Sequence, residues 1–176
     1  MSQLQTNTDL QNIYQQYQQL PAKFDSLLLA TVDSRGVPTA SYAPYIKYEG
    51  HFYIYISELA KHTANINDTK RASVLFIENE QDAKHLFARQ RVTYSCDTDE
   101  ITRDTDNYHN IIAIFHEKFG KIMTTLAEKR DFHLFKLEPK EGGYVAGFGR
   151  AYMIEGDDLE QIKHVNDTGH KASNTH

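Results

Sequence analysis

A chain of 176 residues that is 40% apolar and 24% charged has room for one domain with a buried core, and it is composed like an ordinary soluble globule. Its net charge of −5 argues against duplex nucleic acid as the main partner, because that binding draws on a basic face. A single cysteine, Cys96, excludes an intramolecular disulfide and points to a reducing compartment, the cytoplasm. The opening MSQLQTNTDL has neither the basic nor the apolar region of a signal peptide, and no stretch approaches the ~18 apolar residues of a bilayer span; no membrane partner is expected.

In chain order, residues 9–20 place Leu10, Ile13, Tyr14, Tyr17 and Leu20 at helical spacing, with Asp9 to cap the start and Pro21 to close the end. Residues 26–33 (SLLLATVD) predict a strand, and Ser34-Arg35-Gly36 predicts a hairpin turn with Gly36 at positive φ. Residues 38–48 predict a second strand, which Pro44 should place at an edge or else bend or bulge, because proline brings no ladder donor. Residues 51–57 (HFYIYIS) alternate aromatic and aliphatic side chains as a third strand. A short helix is predicted over 59–68 with Ser57 as its cap, then strands over 71–77 and 85–94. In the helical section 105–127, Tyr108, Ile111, Ile112, Phe115 and Phe119 share one face and Gly120 makes a break. Residues 132–137 and 144–154 read as strands joined by a turn at 139–143, and 159–165 as a last helical turn or two, before a polar tail. Six or more short strands, mostly hairpin-connected, predict a mainly β, α+β-class barrel with peripheral helices. It occupies one domain, 1–176, with a C-terminal extension over 155–176.

Several site types are excluded. The chain has no G-x-x-x-x-G-K-[ST] phosphate loop, no H-E-x-x-H zinc helix and no G-x-S-x-G nucleophile elbow. Gly147-Phe148-Gly149-Arg150 lacks the third glycine and following helix of a phosphate loop, and reads as a bend within a strand. Of nine histidines, two stand out. His170, in the polar tail, is either an ordinary surface residue or a neutral imidazole that swings over a pocket to meet a metal. His62 is by its position an exposed helix residue. Asp131 either helps to start the strand at Phe132 or accepts a hydrogen bond from a metal-bound imidazole, raising its basicity. Arg89 and Arg91, two apart in a predicted strand, share a face and either grip an anionic group or form a solvated stripe.

The run LLLATVDSRGVPTASYAPY, followed by FYIYISELAKHTANI and RASVLFIE, resembles the pyridoxamine-phosphate-oxidase-like, FMN-binding split-barrel superfamily, over roughly residues 26–94 and again over 133–154. Within it, ISELAKHTAN, ARQRV and GGYVAGFGRAY, with an isolated histidine in a C-terminal extension, resemble the haem-utilisation branch, the HutZ/HugZ type. The resemblance implies a split β-barrel homodimer with haem at the subunit interface. His170 would be the axial ligand of the iron, and Asp131 of the partner subunit would hydrogen-bond it. Asp131 and Arg91 would be the catalytic residues, and His62 and Arg91 would lie among the haem-binding ones. No C-x-x-C-H pattern is present, so the haem would be b-type and non-covalent. The implied activity is haem oxygenase-like: O2 and a reductant open the porphyrin to a biliverdin-type product and release iron, with the electron donor and haem-delivering protein unknown. Other members look like carriers or stores. The superfamily's FMN is the alternative cofactor, with Ser57, Lys61, Thr63 and Arg71 as candidates for its phosphate. Since iron takes the neutral imidazole, binding should weaken as pH falls through the histidine pKa.

Overall fold

The computed structural model describes residues 3–156 and 159–165; His170 lies outside the described residues, as does the rest of the tail. An opening helix α1 (Gln3–Gln19) leads into strands β1 (Ser26–Val32), β2 (Pro38–Tyr48) and β3 (His51–Ser57). Then come α2 (Lys61–Thr69), β4 (Arg71–Ile77), β5 (Arg91–Ile101) and the helix pair α3 (Asp106–Phe119) and α4 (Ile122–Ala127). Strands β6 (Phe132–Gly147), β7 (Arg150–Glu155) and β8 (Gln161–His164) complete the described chain. The strands lie in the order β3-β2-β1-β4-β5-β6, and β6 returns to β3, so six antiparallel strands close into a barrel; β7 and β8 continue the sheet beyond β6. No described helix is long and apolar enough to cross a membrane.

Alternation builds the interior. Leu27 and Leu29 of β1, Val74 and Phe76 of β4, and Val92, Tyr94 and Cys96 of β5 all point inward and are buried. Ile13, Tyr17 and Leu20 bring α1 onto this core, with the Tyr17 ring 5.8 Å from that of Tyr94. Strand β3 is buried on both faces. Phe52, Ile54 and Ile56 face the barrel interior, while Tyr53 and Tyr55 lie under Tyr108, Ile111 and Phe115 of α3. The periodicity that marked one face of α3 is the face that covers β3. Thr105 caps α3 by accepting from Tyr108 N–H at 3.2 Å, and Gly120 ends it at φ +72°.

Five expectations are corrected. Asp9 does not start the first helix, because α1 runs from Gln3 through it. Residues 85–94 are not a continuous strand: Leu86–Ala88 form a 3-10 turn, and β5 starts at Arg91 opposite Ile77; beyond that pair Glu78 N–H still donates to the Gln90 carbonyl at 2.8 Å, but Gln90 N–H turns to the Glu78 carboxylate and the ladder ends. The predicted turn over 139–143 is absorbed into β6, which runs unbroken past it. The register passes from Cys96↔Pro139 to Ser95↔Glu141, leaving Lys140 as the extra residue of a bulge that accommodates the proline. The hairpin turn falls later, at Gly147-Phe148-Gly149, with Gly147 and Gly149 at positive φ. Residues 159–165 contain strand β8 rather than a helix, because the open edge of β7 supplies backbone partners from Tyr152 to Glu155. Ser57 does not cap α2; Ala60 holds that position without a side-chain bond. Pro44 stands where β2 passes from pairing with β1 to pairing with β3, a handover at which a missing donor matters least.

The Phe52 ring lies 5.7 Å from Tyr45, 5.4 Å from Phe76 and 5.2 Å from Tyr94 at the barrel centre. Phe52→Ala should therefore cost about 3–5 kcal/mol, read as a lower urea midpoint with an unchanged slope.

Candidate functional site

Where β3 ends, β6 begins. Backbone pairing sets Ser57 opposite Phe132, so Asp131, the residue before β6, arrives beside Ser57. The Ser57 hydroxyl donates to Asp131 Oδ2 at 2.9 Å, and Glu58 N–H donates to the Asp131 carbonyl at 2.7 Å. The Ser57 carbonyl accepts from Ala60 N–H and from the Thr63 hydroxyl at 2.6 Å, which sets the start of α2. Both hydroxyls considered for a flavin phosphate are thus already engaged, one of them on a carboxylate, while Lys61 and Arg71 are exposed.

A second cluster lies on the same end. His133, the second residue of β6, has Nδ1 2.6 Å from Glu100 Oε1 and Nε2 2.6 Å from Glu58 Oε1. An imidazole donates from both nitrogens only as the cation. Burial pulls its pKa down, but hydrogen bonds to Glu100 and Glu58 and their charges outweigh that, and the pKa is raised above the ordinary 6.5. Glu100 is on β5 and Glu58 follows β3, so one imidazolium clasps three strand ends. No sequence signal marked His133 for this role, because its partners lie 33 and 75 residues away.

His62 is buried rather than exposed, because α2 packs against β1 and β2. Its Nδ1 lies 2.9 Å from Ser41 Oγ. The Ser41 hydroxyl gives its single proton to the Leu29 carbonyl at 3.2 Å, so His62 Nδ1–H is the donor and Nε2 carries the lone pair. Among the described residues nothing bonds that buried Nε2, and burial lowers the pKa, which keeps the ring neutral. His62 faces the β1–β2 side through Ser41, whereas Asp131 meets Ser57 at the β3–β6 junction.

The two arginines differ. Arg89 precedes β5, so the expected strand alternation with Arg91 does not hold. Its guanidinium donates to the Glu78 carbonyl and to Glu80 Oε1, the latter at 3.2 Å, and so anchors a loop. Arg91 opens β5, is half-buried and donates from Nη1 to the Arg89 carbonyl at 3.2 Å. It stands opposite Val145, at the end of β5 remote from the Ile101–Leu134 pair beside Asp131. An eleven-residue strand separates those ends by roughly 35 Å, so within one chain Arg91 and Asp131 cannot share a site. Leu86 and Phe87, in the turn before Arg91, and Phe148, in the hairpin after its partner Val145, are exposed.

The closed antiparallel barrel, with helices on its outer face and a two-stranded continuation, has the architecture of the FMN-binding split barrels. The chain belongs to the pyridoxamine 5'-phosphate oxidase family, whose model matches residues 13–146. Haem oxygenase HutZ from Vibrio cholerae is 40% identical to it over 149 residues, 85% of either chain. The crystal structure of Vibrio cholerae HutZ, there described as a haem storage protein, superposes with a TM-score of 0.66 at 36% identity, covering 73% of this chain and 88% of that one. Campylobacter jejuni ChuZ superposes with a TM-score of 0.79 at 32% identity, over 88% of this chain and 63% of its own length.

The His133 clasp sets a sign for pH. A raised folded-state pKa means that its stabilisation is full below about pH 6.5, provided the two glutamates are ionised, and is lost as pH rises through the His133 value. In His133→Gln the corresponding decline in thermal midpoint on the alkaline side should disappear. Imidazole NMR should find His133 titrating above the ordinary histidine value of 6.5.

Proposed function

We propose that the chain binds haem non-covalently between two copies of itself and degrades it. The observation that carries this reading is the 40% identity to a haem oxygenase across 85% of the chain. The placement of the candidate residues supports it. Asp131 and Arg91 lie at opposite ends of β5, and a second copy is what would bring one end of each barrel together. The outer sheet face offers a surface for that copy: Tyr42 pairs with Leu28 and Leu28 with Leu75, and Tyr42 and Leu28 are exposed at 66% and 46%.

The residues present suit the group. Leu86, Phe87 and Phe148 supply apolar surface toward the end that carries Arg91, whose guanidinium can take a propionate through forked hydrogen bonds. His170 would hold the iron through a neutral imidazole, and Asp131 of the partner subunit would accept its other N–H, fixing ring orientation and raising basicity. His62, neutral and with Nε2 enclosed, would join the haem-binding residues only where the second copy or the haem uncovers it. When bound, haem supplies the oxygen chemistry that, with an external reductant, opens the porphyrin to a biliverdin-type product and frees iron. The Cys-poor composition supports a cytoplasmic setting.

A store without turnover is the second reading, favoured by the description of HutZ's crystal structure as that of a haem storage protein. Titrating the purified protein with hemin should give a Soret band that bleaches with ascorbate in air and yields a biliverdin-type pigment and chelatable iron. A stable band with no pigment decides for storage. His170→Ala should lose the ligand; an unchanged spectrum and affinity in that variant rejects the assignment. A yellow protein that releases flavin on denaturation and ignores hemin rejects haem altogether. Leu28→Glu should lower the sedimentation coefficient to that of a monomer and weaken hemin binding with it.

A further inference from the structure

The return from α4 to β6, Glu128-Lys129-Arg130-Asp131, contributes nothing to the apolar core, and its first three residues are exposed. Packing cannot define its path. Its carbonyls are tied down individually instead. Arg103, in the turn after β5, donates to the carbonyls of Ala127 at 2.9 Å, Lys129 at 2.8 Å and Phe132 at 3.1 Å. The same guanidinium donates to the Tyr55 hydroxyl at 3.2 Å and sits over the Tyr108 ring, 5.3 Å from its centroid. Tyr55 and Tyr108 are joined through their hydroxyls at 3.1 Å, so the arginine is itself anchored in the packed layer between β3 and α3. Asp131 is then held three ways: by Arg103 on the carbonyls either side, by Glu58 N–H on its own carbonyl, and by Ser57 on Oδ2. No described residue bonds Oδ1.

We propose that Ser57 and Arg103 are positioning residues for Asp131. Arg103 sets the backbone on both sides of it. Ser57 occupies one carboxylate oxygen and so turns the other outward, toward an imidazole N–H. This deepens the proposed haem binding and rests on it. A surface loop gains little stability from so many anchors, whereas a carboxylate that must meet a histidine from another chain needs a fixed direction. Arginine suits this role where lysine would not, because one planar fork reaches three carbonyls, a geometry that an ammonium does not reproduce.

The test is hemin titration of the full-length protein, with resonance Raman of the ferrous form to read the iron–histidine stretch, which reports imidazole basicity independently of turnover. Asp131→Asn should weaken hemin about 10- to 100-fold, the range for outer partners of metal-bound histidines, and lower the stretch. Ser57→Ala and Arg103→Lys should move both readouts the same way, by no more than Asp131→Asn does. In the Asp131→Asn background neither should add anything, a coupling that separates positioning from general stabilisation. Ser57→Thr, which keeps the hydroxyl, should restore wild-type values, and the Ser57 pair carries the test alone if Arg103→Lys does not fold. Equal effects of Ser57→Ala with and without Asp131, or no effect where Asp131→Asn has one, overturn the inference. So does an Asp131→Asn protein indistinguishable from wild type, which leaves haem binding standing. A wild-type protein that binds no hemin rejects the haem reading and the inference with it.

Discussion

Closure of the barrel by β3 on β6 is the contact on which the rest of the molecule depends. Six register pairs, Phe52↔Leu137 through Ser57↔Phe132, join segments separated by about the whole middle of the chain. The strand that makes this closure is buried on both faces, so its side chains belong at once to the barrel interior and to the layer under α3. Losing that pairing would expose both layers together. It would also part Ser57 and Glu58 from Asp131 and His133, which meet through this register.

That end is built by hydrogen bonds rather than by packing. In a chain of net negative charge, two cations gather there, each placed between oxygens: His133 between Glu58 and Glu100, and Arg103 among three carbonyls and a tyrosine hydroxyl. Such bonds are directional where apolar contact is not, and they hold a loop at the surface without burying it. The opposite end is different in kind. Toward the Arg91 end, exposed Leu86, Phe87 and Phe148 stand among exposed Lys84, His85 and Arg150, with Arg89 and Arg91 half-buried. In the proposed haem complex, one copy would bring the carboxylate end and the other the end that carries Arg91.

The family's split barrel is present, and the hydroxyls at the β3–α2 junction bond within the chain. Ser57 faces a carboxylate and Thr63 faces a backbone carbonyl. An anionic phosphate arriving there would meet Asp131 first. The junction that engages both hydroxyls is also the one that holds the carboxylate used in the haem reading.

The local pattern of apolar residues determined the strands over 26–33, which ends one residue earlier in the fold, 38–48, 51–57 and 71–77 and the helices on either side of Gly120, since each needs only alternation or 3.6-residue spacing to be recognised. Family-specific runs then identified the barrel class. What the sequence could not determine was whatever depends on a distant partner. The start of β5 was set by where β4 stops, β8 by the open edge of β7, and the unbroken course of β6 by a bulge that absorbs Pro139. His62 read as exposed because its helix spacing says nothing of the β1–β2 surface it lies on. His133 and Arg103 carried no signal at all, because their partners lie tens of residues away. Local physics reads period and turn chemistry along the chain; only the closed barrel, by bringing strand ends together, decided which polar groups would face one another.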